Sequence, residues 1–251
     1  MQRIGIMAAV HGEIAALLEK MGSVTVTRIG MRDYHQGVLY GRPCVVVLAR
    51  MGKVAAAATT VTLIREFGVD RVLFAGLAGG IAGNARVGDV VVGSSLLHHD
   101  LDASPLFPRH EIPLLALSRI DADHGLSRLL EKAARDYLAL DWEQDISVAT
   151  RQAFNLSAPN VHTGLIASGD QFVSSAAAAQ ALRDTLPDVV CVEMEGAAVA
   201  QVCHEYGTPF AIIRTVSDRA DDEASHDFNS FLTHVASQYS AGILKRAIGL
   251  L

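Results

Sequence analysis

Val189-Val190-Cys191-Val192-Glu193-Met194-Glu195-Gly196-Ala197-Ala198-Val199-Ala200 is the stretch on which the reading of the chain turns. It opens as an apolar run with β-branched residues, which predicts a buried strand. It closes as a run of small residues, which predicts a helix packed tightly beside that strand. Two carboxylates stand at the junction. Ionised carboxylates are almost never fully buried unless something pairs with them. The end of a strand in an α/β sheet is also where ligands bind. Glu193-Met194-Glu195 is therefore the feature against which the other segments are read.

Outward from it, strands and helices alternate. Residues 3–9, 71–75, 89–97, 161–167 and 209–216 read as strands, and 23–29, 34–40 and 43–49 as a meander. Helical patterns cover 12–20, 53–67, 123–137, 174–186 and 224–248. Residues 76–83 read as a glycine-rich loop, and 98–118, with three prolines and no period, as a surface loop. Several strands are apolar without clean alternation, which predicts a sheet covered on both faces. No repeat or linker divides the chain, so residues 1–251 are expected to form one α/β domain around a central mixed sheet.

Composition narrows the function classes. The chain is 50% hydrophobic and 19% charged, enough to bury a sizeable core. Its net charge of −6 and the lack of any basic run argue against nucleic acid as a partner. No apolar stretch is long and Gly-poor enough to span a membrane. The start, Met1-Gln2-Arg3-Ile4-Gly5-Ile6, does not read as a signal peptide. Cys44, Cys191 and Cys203 are odd in number, unpaired in spacing and set among apolar residues, which suggests reduced, buried thiols and a cytoplasmic location.

Four further segments carry candidate chemistry. Gly76-Leu77-Ala78-Gly79-Gly80 follows a strand and would let the backbone approach a ligand, or simply turn tightly. Ser168-Gly169-Asp170-Gln171-Phe172-Val173 could form a base-stacking platform or a helix start with a core Phe. Arg214 stands inside an apolar strand, costly unless paired; Asp218 beside Ser217 could be an acid or an N-cap. Glu13, early in a helix, could be a surface residue complementing the helix dipole. The chain lacks Gly-x-Gly-x-x-Gly after a strand, which argues against a dinucleotide enzyme.

Taken together these segments resemble the purine nucleoside phosphorylase/nucleosidase superfamily, and within it the 5′-methylthioadenosine/S-adenosylhomocysteine nucleosidases. The resemblance is carried by Ile4-Gly5-Ile6 to Glu13-Ile14, Gly52-Lys53-Val54-Ala55-Ala56, Gly79-Gly80, Val87-Gly88-Asp89, Ser168-Gly169-Asp170-Gln171-Phe172, Val192-Glu193-Met194-Glu195, and Arg214 with Ser217-Asp218. It covers nearly the whole chain. It implies a mixed, partly barrel-like twisted sheet flanked by helices, no cofactor or metal, a small-molecule nucleoside as partner, and a homodimer.

The resemblance also implies roles. Asp218 would protonate the leaving adenine at N7, which needs a carboxyl of raised pKa. Glu195 would hold the ribose hydroxyls, Met194 would pack on the sugar, Phe172 would stack on the base, and the Val173 backbone would read its edge. Ala78, Gly79 and Ser217 are expected among the substrate-binding residues. Glu13 would take a proton from water, with Arg214 helping to orient it. A carboxylate at position 13 repels phosphate, favouring hydrolysis over phosphorolysis.

Two departures stand out. Many relatives have Ser or Thr where this chain has Leu77, which removes a hydroxyl. The segment His98–His110 also differs; its His and Asp residues invite a metal reading, but their spacing is irregular. In relatives that loop lines the neighbouring subunit's 5′-substituent pocket, where Phe107 would be expected to bind substrate beside Leu106. The expected activity is hydrolysis of 5′-thio-substituted adenosines. The alternatives are a nucleosidase or phosphorylase for another nucleoside, such as futalosine or deoxyadenosine, and a non-catalytic binding protein. Asp218 favours a 6-amino base, whereas Asn is the common partner of 6-oxopurines.

Overall fold

The computed structural model describes residues 3–221 and 224–251; Met1 and Gln2 of the amino-terminal stretch lie outside them. The elements in order are β1 (Ile4–Ala8), α1 (Ala15–Leu18), β2 (Gly22–Ile29), β3 (Arg32–Leu39), β4 (Arg42–Leu48), α2 (Lys53–Arg65), β5 (Arg71–Gly80) and β6 (Val90–His98). There follow β7 (Ile120–Asp121), α3 (His124–Leu140), α4 (Trp142–Asp145), α5 (Val148–Ala153), β8 (Val161–Ser168), α6 (Ala176–Thr185), β9 (Val189–Glu193) and α7 (Gly196–Tyr206). β10 (Phe210–Asp218), α8 (Ala224–Phe231) and α9 (Ser237–Leu250) complete the fold, with a π turn at Leu232–Ala236 between the last two helices.

The strands form one mixed sheet that closes on itself. β10 pairs in parallel with β5 and antiparallel with β6; β6 pairs with β8, β8 with β9, and β9 returns to β5. Those five strands make a barrel. From β5 the sheet continues outward through β1, β4, β3 and β2. Closure brings the ends of β5, β9 and β10 together: Gly79 is opposite Val192 on one side and Asp218 on the other.

Both faces of the sheet are buried. Along β10, Ala211 and Ile213 face one core while Phe210, Ile212 and Val216 face the other. On the first side α3 packs against α9, with Tyr137 edge-on to Tyr239 at 5.4 Å. Gly242 is required there, because any Cβ would run into the Tyr137 ring. On the second side α2 packs against α7, and Ala56, Thr59 and Thr60 of the one and Ala197, Ala198 and Ala200 of the other are buried.

Three expectations change. Residues 76–80 are not a loop: β5 runs through Gly80, flanked by β9 and β10. The glycines there make room for neighbouring side chains instead of turning the chain. The helix expected over 12–20 is a 3-10 turn, His11–Glu13, followed by the short α1, because Glu13 folds back on its own preceding backbone. The segment 98–118 is not plain surface, since His98, His99 and His110 are buried. β7, α4 and α5 are too short to carry a period and were not anticipated.

Candidate active site

A cleft of about 550 Å³ opens where β5, β9 and β10 converge. Glu13, Glu193, Glu195 and Asp218 line it, together with Met194, Phe172, Val173, Leu77, Ala78 and Gly79. Among the described residues no Lys, Arg or His lines it. The stretch read first is thus one wall of the cleft, and Glu13, Phe172 and Asp218 reach it from three other segments.

Glu13 is 3% exposed, so the surface reading fails. Its Oε2 accepts the N–H groups of Ala9 (2.7 Å) and Val10 (3.0 Å), and its Oε1 that of Leu77 (3.1 Å). Leu77 therefore contributes through its backbone, which a Ser or Thr would offer equally. Burial raises the Glu13 pKa against the opposing pull of these N–H groups and of Arg214. Gly76 leaves the space: a Cβ there would lie 2.9 Å from Glu13 Oε1 and 3.1 Å from Arg214 Nη1.

Glu193 and Glu195 divide their tasks. Glu193 receives Nε (3.2 Å) and Nη2 (2.5 Å) of Arg214 on one oxygen. It also accepts from the Ser168 hydroxyl and from the N–H groups of Glu195 (3.2 Å) and Gly196 (2.8 Å). It fixes the turn from β9 into α7, which presents Met194 and Glu195. Arg214 stacks its guanidinium 4.0 Å from the Phe74 ring centroid and donates to the Ile213 carbonyl at 3.2 Å. Its hydrogen bonds go to Glu193 and backbone, not to Glu13, which it reaches only through charge. Arg214 does not line the cleft.

Glu195 is 5% exposed and accepts the Gly52 N–H at 2.8 Å. Burial, then the charge of Glu193, pushes its pKa up. Gly52 has φ +95°, a conformation that excludes side chains. That glycine is a site residue the sequence reading placed only in a motif.

Asp218 ends β10 at 2% exposure. Oδ2 accepts from the Ser217 hydroxyl at 2.7 Å and Oδ1 from the Ala220 N–H at 2.9 Å. Burial raises its pKa, opposed by these two bonds. A Cβ on Gly79 would sit 3.0 Å from Asp218 Oδ1. Phe172 is 38% exposed and not a core residue; it meets Phe228 edge-on at 5.8 Å. Val173 is buried behind it. Ser217 is buried and does not line the cleft itself; its hydroxyl bonds two residues that do, Asp218 (2.7 Å) and the Ala78 carbonyl (3.4 Å). Phe107 does not line this chain's cleft. Met51, Val10, Gln171 and Phe228 do, and were missed. Phe228, on the amphipathic face of α8, gave no signal separable from a core position.

The sequence matches the family model described as Phosphorylase superfamily over residues 3–249. The chain belongs to that superfamily. It is 35% identical over 234 residues to the 5′-methylthioadenosine/S-adenosylhomocysteine nucleosidase of Anoxybacillus flavithermus, covering 93% of this chain and 92% of that protein. It is 33% identical over 248 residues to the aminodeoxyfutalosine nucleosidase of Helicobacter pylori, covering 98% of each. The crystal structure of the Neisseria meningitidis 5′-methylthioadenosine/S-adenosylhomocysteine nucleosidase in complex with methylthio-immucillin-A superposes over the whole of both chains, with a TM-score of 0.87 and 34% identity. With nucleosidase homologues over its full length, the superfamily member described here is an enzyme of the N-glycosyl hydrolase type. Among the described residues no group of three or more His, Cys, Asp or Glu is placed to hold a metal ion, and no helix is long and apolar enough to cross a membrane.

Proposed function

We propose that the enzyme hydrolyses the N-glycosidic bond of 5′-thio-substituted adenosines, methylthioadenosine and S-adenosylhomocysteine, releasing adenine and the thioribose. The observation that carries this reading is the lining of the cleft: four carboxyl groups line it and, among the described residues, no basic side chain does. Such a site repels a phosphate dianion, favours positive charge developing on a sugar, and can activate water.

In this reading Asp218, whose buried carboxyl holds a proton above the ordinary carboxylate range, protonates adenine at N7 as the bond breaks. Glu195 accepts from the ribose hydroxyls and Met194 packs on the sugar. Phe172 stacks on the base, and Val173, Ala78 and Gly79 border it. Glu13, clamped by three backbone N–H groups, takes the proton from the attacking water. Arg214 acts through Glu193 as a positioning residue. Met51, Val10 and Phe228 give the cleft an apolar surface suited to a thioether tail.

A second substrate class is favoured by one observation. The Helicobacter pylori aminodeoxyfutalosine nucleosidase is as similar to this chain as the methylthioadenosine enzymes and is matched over nearly its full length. A panel of methylthioadenosine, S-adenosylhomocysteine, deoxyadenosine, inosine and aminodeoxyfutalosine, assayed for free base in phosphate-free buffer, separates the readings. Turnover that requires phosphate, with ribose 1-phosphate accumulating, overturns hydrolysis.

We further propose a cytoplasmic homodimer in which the 98–118 segment reaches the partner's cleft. Leu106 and Leu114 on that segment are 84% and 89% exposed, which leaves apolar surface to cover. Light scattering on the purified chain tests the dimer; a monomer at micromolar concentration refutes it.

A further inference from the structure

A second cleft of about 550 Å³ adjoins the first, and Gln171 and Val173 line both. His99, Arg109, His110 and Gln171 form its polar wall; Leu182 and other apolar residues of α6 face them. Among the described residues no carboxylate lines it. Nothing in the proposed hydrolysis uses it.

Two buried ring nitrogens in it are unsatisfied, while Arg109 and Gln171 stand exposed at its mouth. His99 and His110 are 9% and 8% exposed, and Nε2 of each has no hydrogen-bond partner among the described residues. Buried polar atoms without partners are uncommon and call for an explanation. Nδ1 of His110 lies 3.2 Å from the carbonyl oxygen of His98. A carbonyl only accepts, so Nδ1 carries the proton and Nε2 of the neutral ring is a bare acceptor. Arg109 makes no hydrogen bond or ion pair among the described residues, and its charge reaches Asp102 only through space. An exposed guanidinium with no direct ion pair among the described residues and a buried acceptor without a donor thus line one cavity, together with the apolar residues of α6.

We propose that this second cleft binds a carboxylic acid group carried on an apolar body. The Arg109 guanidinium fits a carboxylate in bidentate fashion, and the Gln171 amide adds a donor. His110 Nε2 takes up one proton as the anion enters and becomes a donor to it. The titratable and charged groups around His110 are His99, Arg109, Asp100 and Asp102; no carboxylate among them lines the cleft, so the entering anion supplies the missing negative charge. The apolar wall of α6 accepts the remainder of the ligand.

The acid has two possible sources, a free small carboxylate or a carboxylate on the nucleoside itself. Calorimetric titration of the full chain with hexanoate and with hexanamide, its neutral isostere, tests the site. Hexanoate should bind at least about tenfold more tightly than the amide, and Arg109→Gln should remove that preference because it removes the bidentate cation. His110→Phe, which fills the same space without a nitrogen, should weaken hexanoate as well. No binding of hexanoate, equal binding of the amide, or an unchanged preference in Arg109→Gln overturns the proposal. Loss of kcat/KM for S-adenosylhomocysteine but not for methylthioadenosine in Arg109→Gln assigns the site to the substrate's own carboxylate. Equal rates for both, with hexanoate still bound by the parent chain, assign it to a free acid. The hexanoate titration stands whether or not the proposed hydrolysis does.

Discussion

Arg214→Met isolates the interaction on which the architecture of the cleft depends. The guanidinium is 1% exposed, bonded twice to Glu193 Oε2 and stacked on Phe74. Methionine fills much of the volume and keeps the contact with Phe74, so the loss falls on the charge. Glu193 would be left buried with only the Ser168 hydroxyl and the Glu195 and Gly196 N–H groups. Breaking one side of a buried pair costs about 3–5 kcal/mol. For a chain of this size that corresponds to a fall in Tm of about 6–20 °C.

The assay is thermal unfolding of the parent, both single variants and the double variant Glu193→Gln/Arg214→Met. Gln keeps an oxygen to accept the two N–H groups and removes the stranded charge. The double variant should therefore recover at least half of the stability lost in Arg214→Met, a coupling that only a paired-charge role produces. A single variant within about 1 kcal/mol of the parent refutes the reasoning, because a buried unpaired carboxylate cannot be that cheap. So does a double variant no better than Arg214→Met, which would trace the loss to packing on Phe74. Both singles should also lower kcat/KM, since the turn that presents Glu195 hangs from Glu193.

Further expectations follow from the same geometry. Asp218→Asn should still bind adenine nucleosides by calorimetry but lose about 10²–10⁴-fold in turnover; normal turnover refutes its role as the acid. Activity should fall at low pH as Glu13 takes up a proton and at high pH as Asp218 loses one, both limbs lying above the ordinary carboxylate range because burial raises both groups. A profile flat from about pH 4 to 9 contradicts this. Glu195 has a folded pKa raised to about 8, so its ionisation costs stability above that pH and nothing below its ordinary value of 4.5. Glu195→Gln should thus raise Tm near pH 9 but not near pH 4, while raising KM. Gly76→Ala should displace Glu13 and cut kcat about tenfold or more, whereas Gly83→Ala, with nothing within 4 Å of the new Cβ, should leave it unchanged.

What was legible in the sequence was local. The strand ending at Glu193 and the small-residue helix after it are visible in residue type alone. Arg214 announced itself as a charge in an apolar strand, and that anomaly correctly implied a partner. Glycines misled at residues 76–80, because a glycine that turns the chain and a glycine that yields its Cβ space to a neighbour look alike. Only the positions of Glu13, Asp218 and Arg214 distinguish them, and those arrive from segments more than sixty residues away. Barrel closure by β10 between β5 and β6 is likewise a long-range pairing with no local signature. Met51 and Phe228 have the composition of core residues, and only the fold sets them at a cleft.

The cleft gathers more carboxyl groups than Arg214 can pair with. Burial works against the Arg214 cation, yet Glu193, Glu195 and Glu13 together hold its pKa above the ordinary value. Glu193 takes the hydrogen bonds, so Glu195 and Glu13 meet Arg214 only through space, and burial raises the pKa of both. A neutral nucleoside in the ground state does nothing to relieve that cost. Positive charge on the ribose in the proposed reaction does, because it sits beside the very carboxylates that burial has made reluctant to ionise. The interaction is therefore stronger in the transition state than in the bound substrate, which is the condition for it to raise kcat and not merely lower KM. A basic residue introduced into the lining should undo this. Met51→Lys should leave the fold intact, since Met51 is 50% exposed, but lower kcat more than it changes KM. A variant that changes KM alone would show that the carboxylates serve binding and not the charge developing on the sugar.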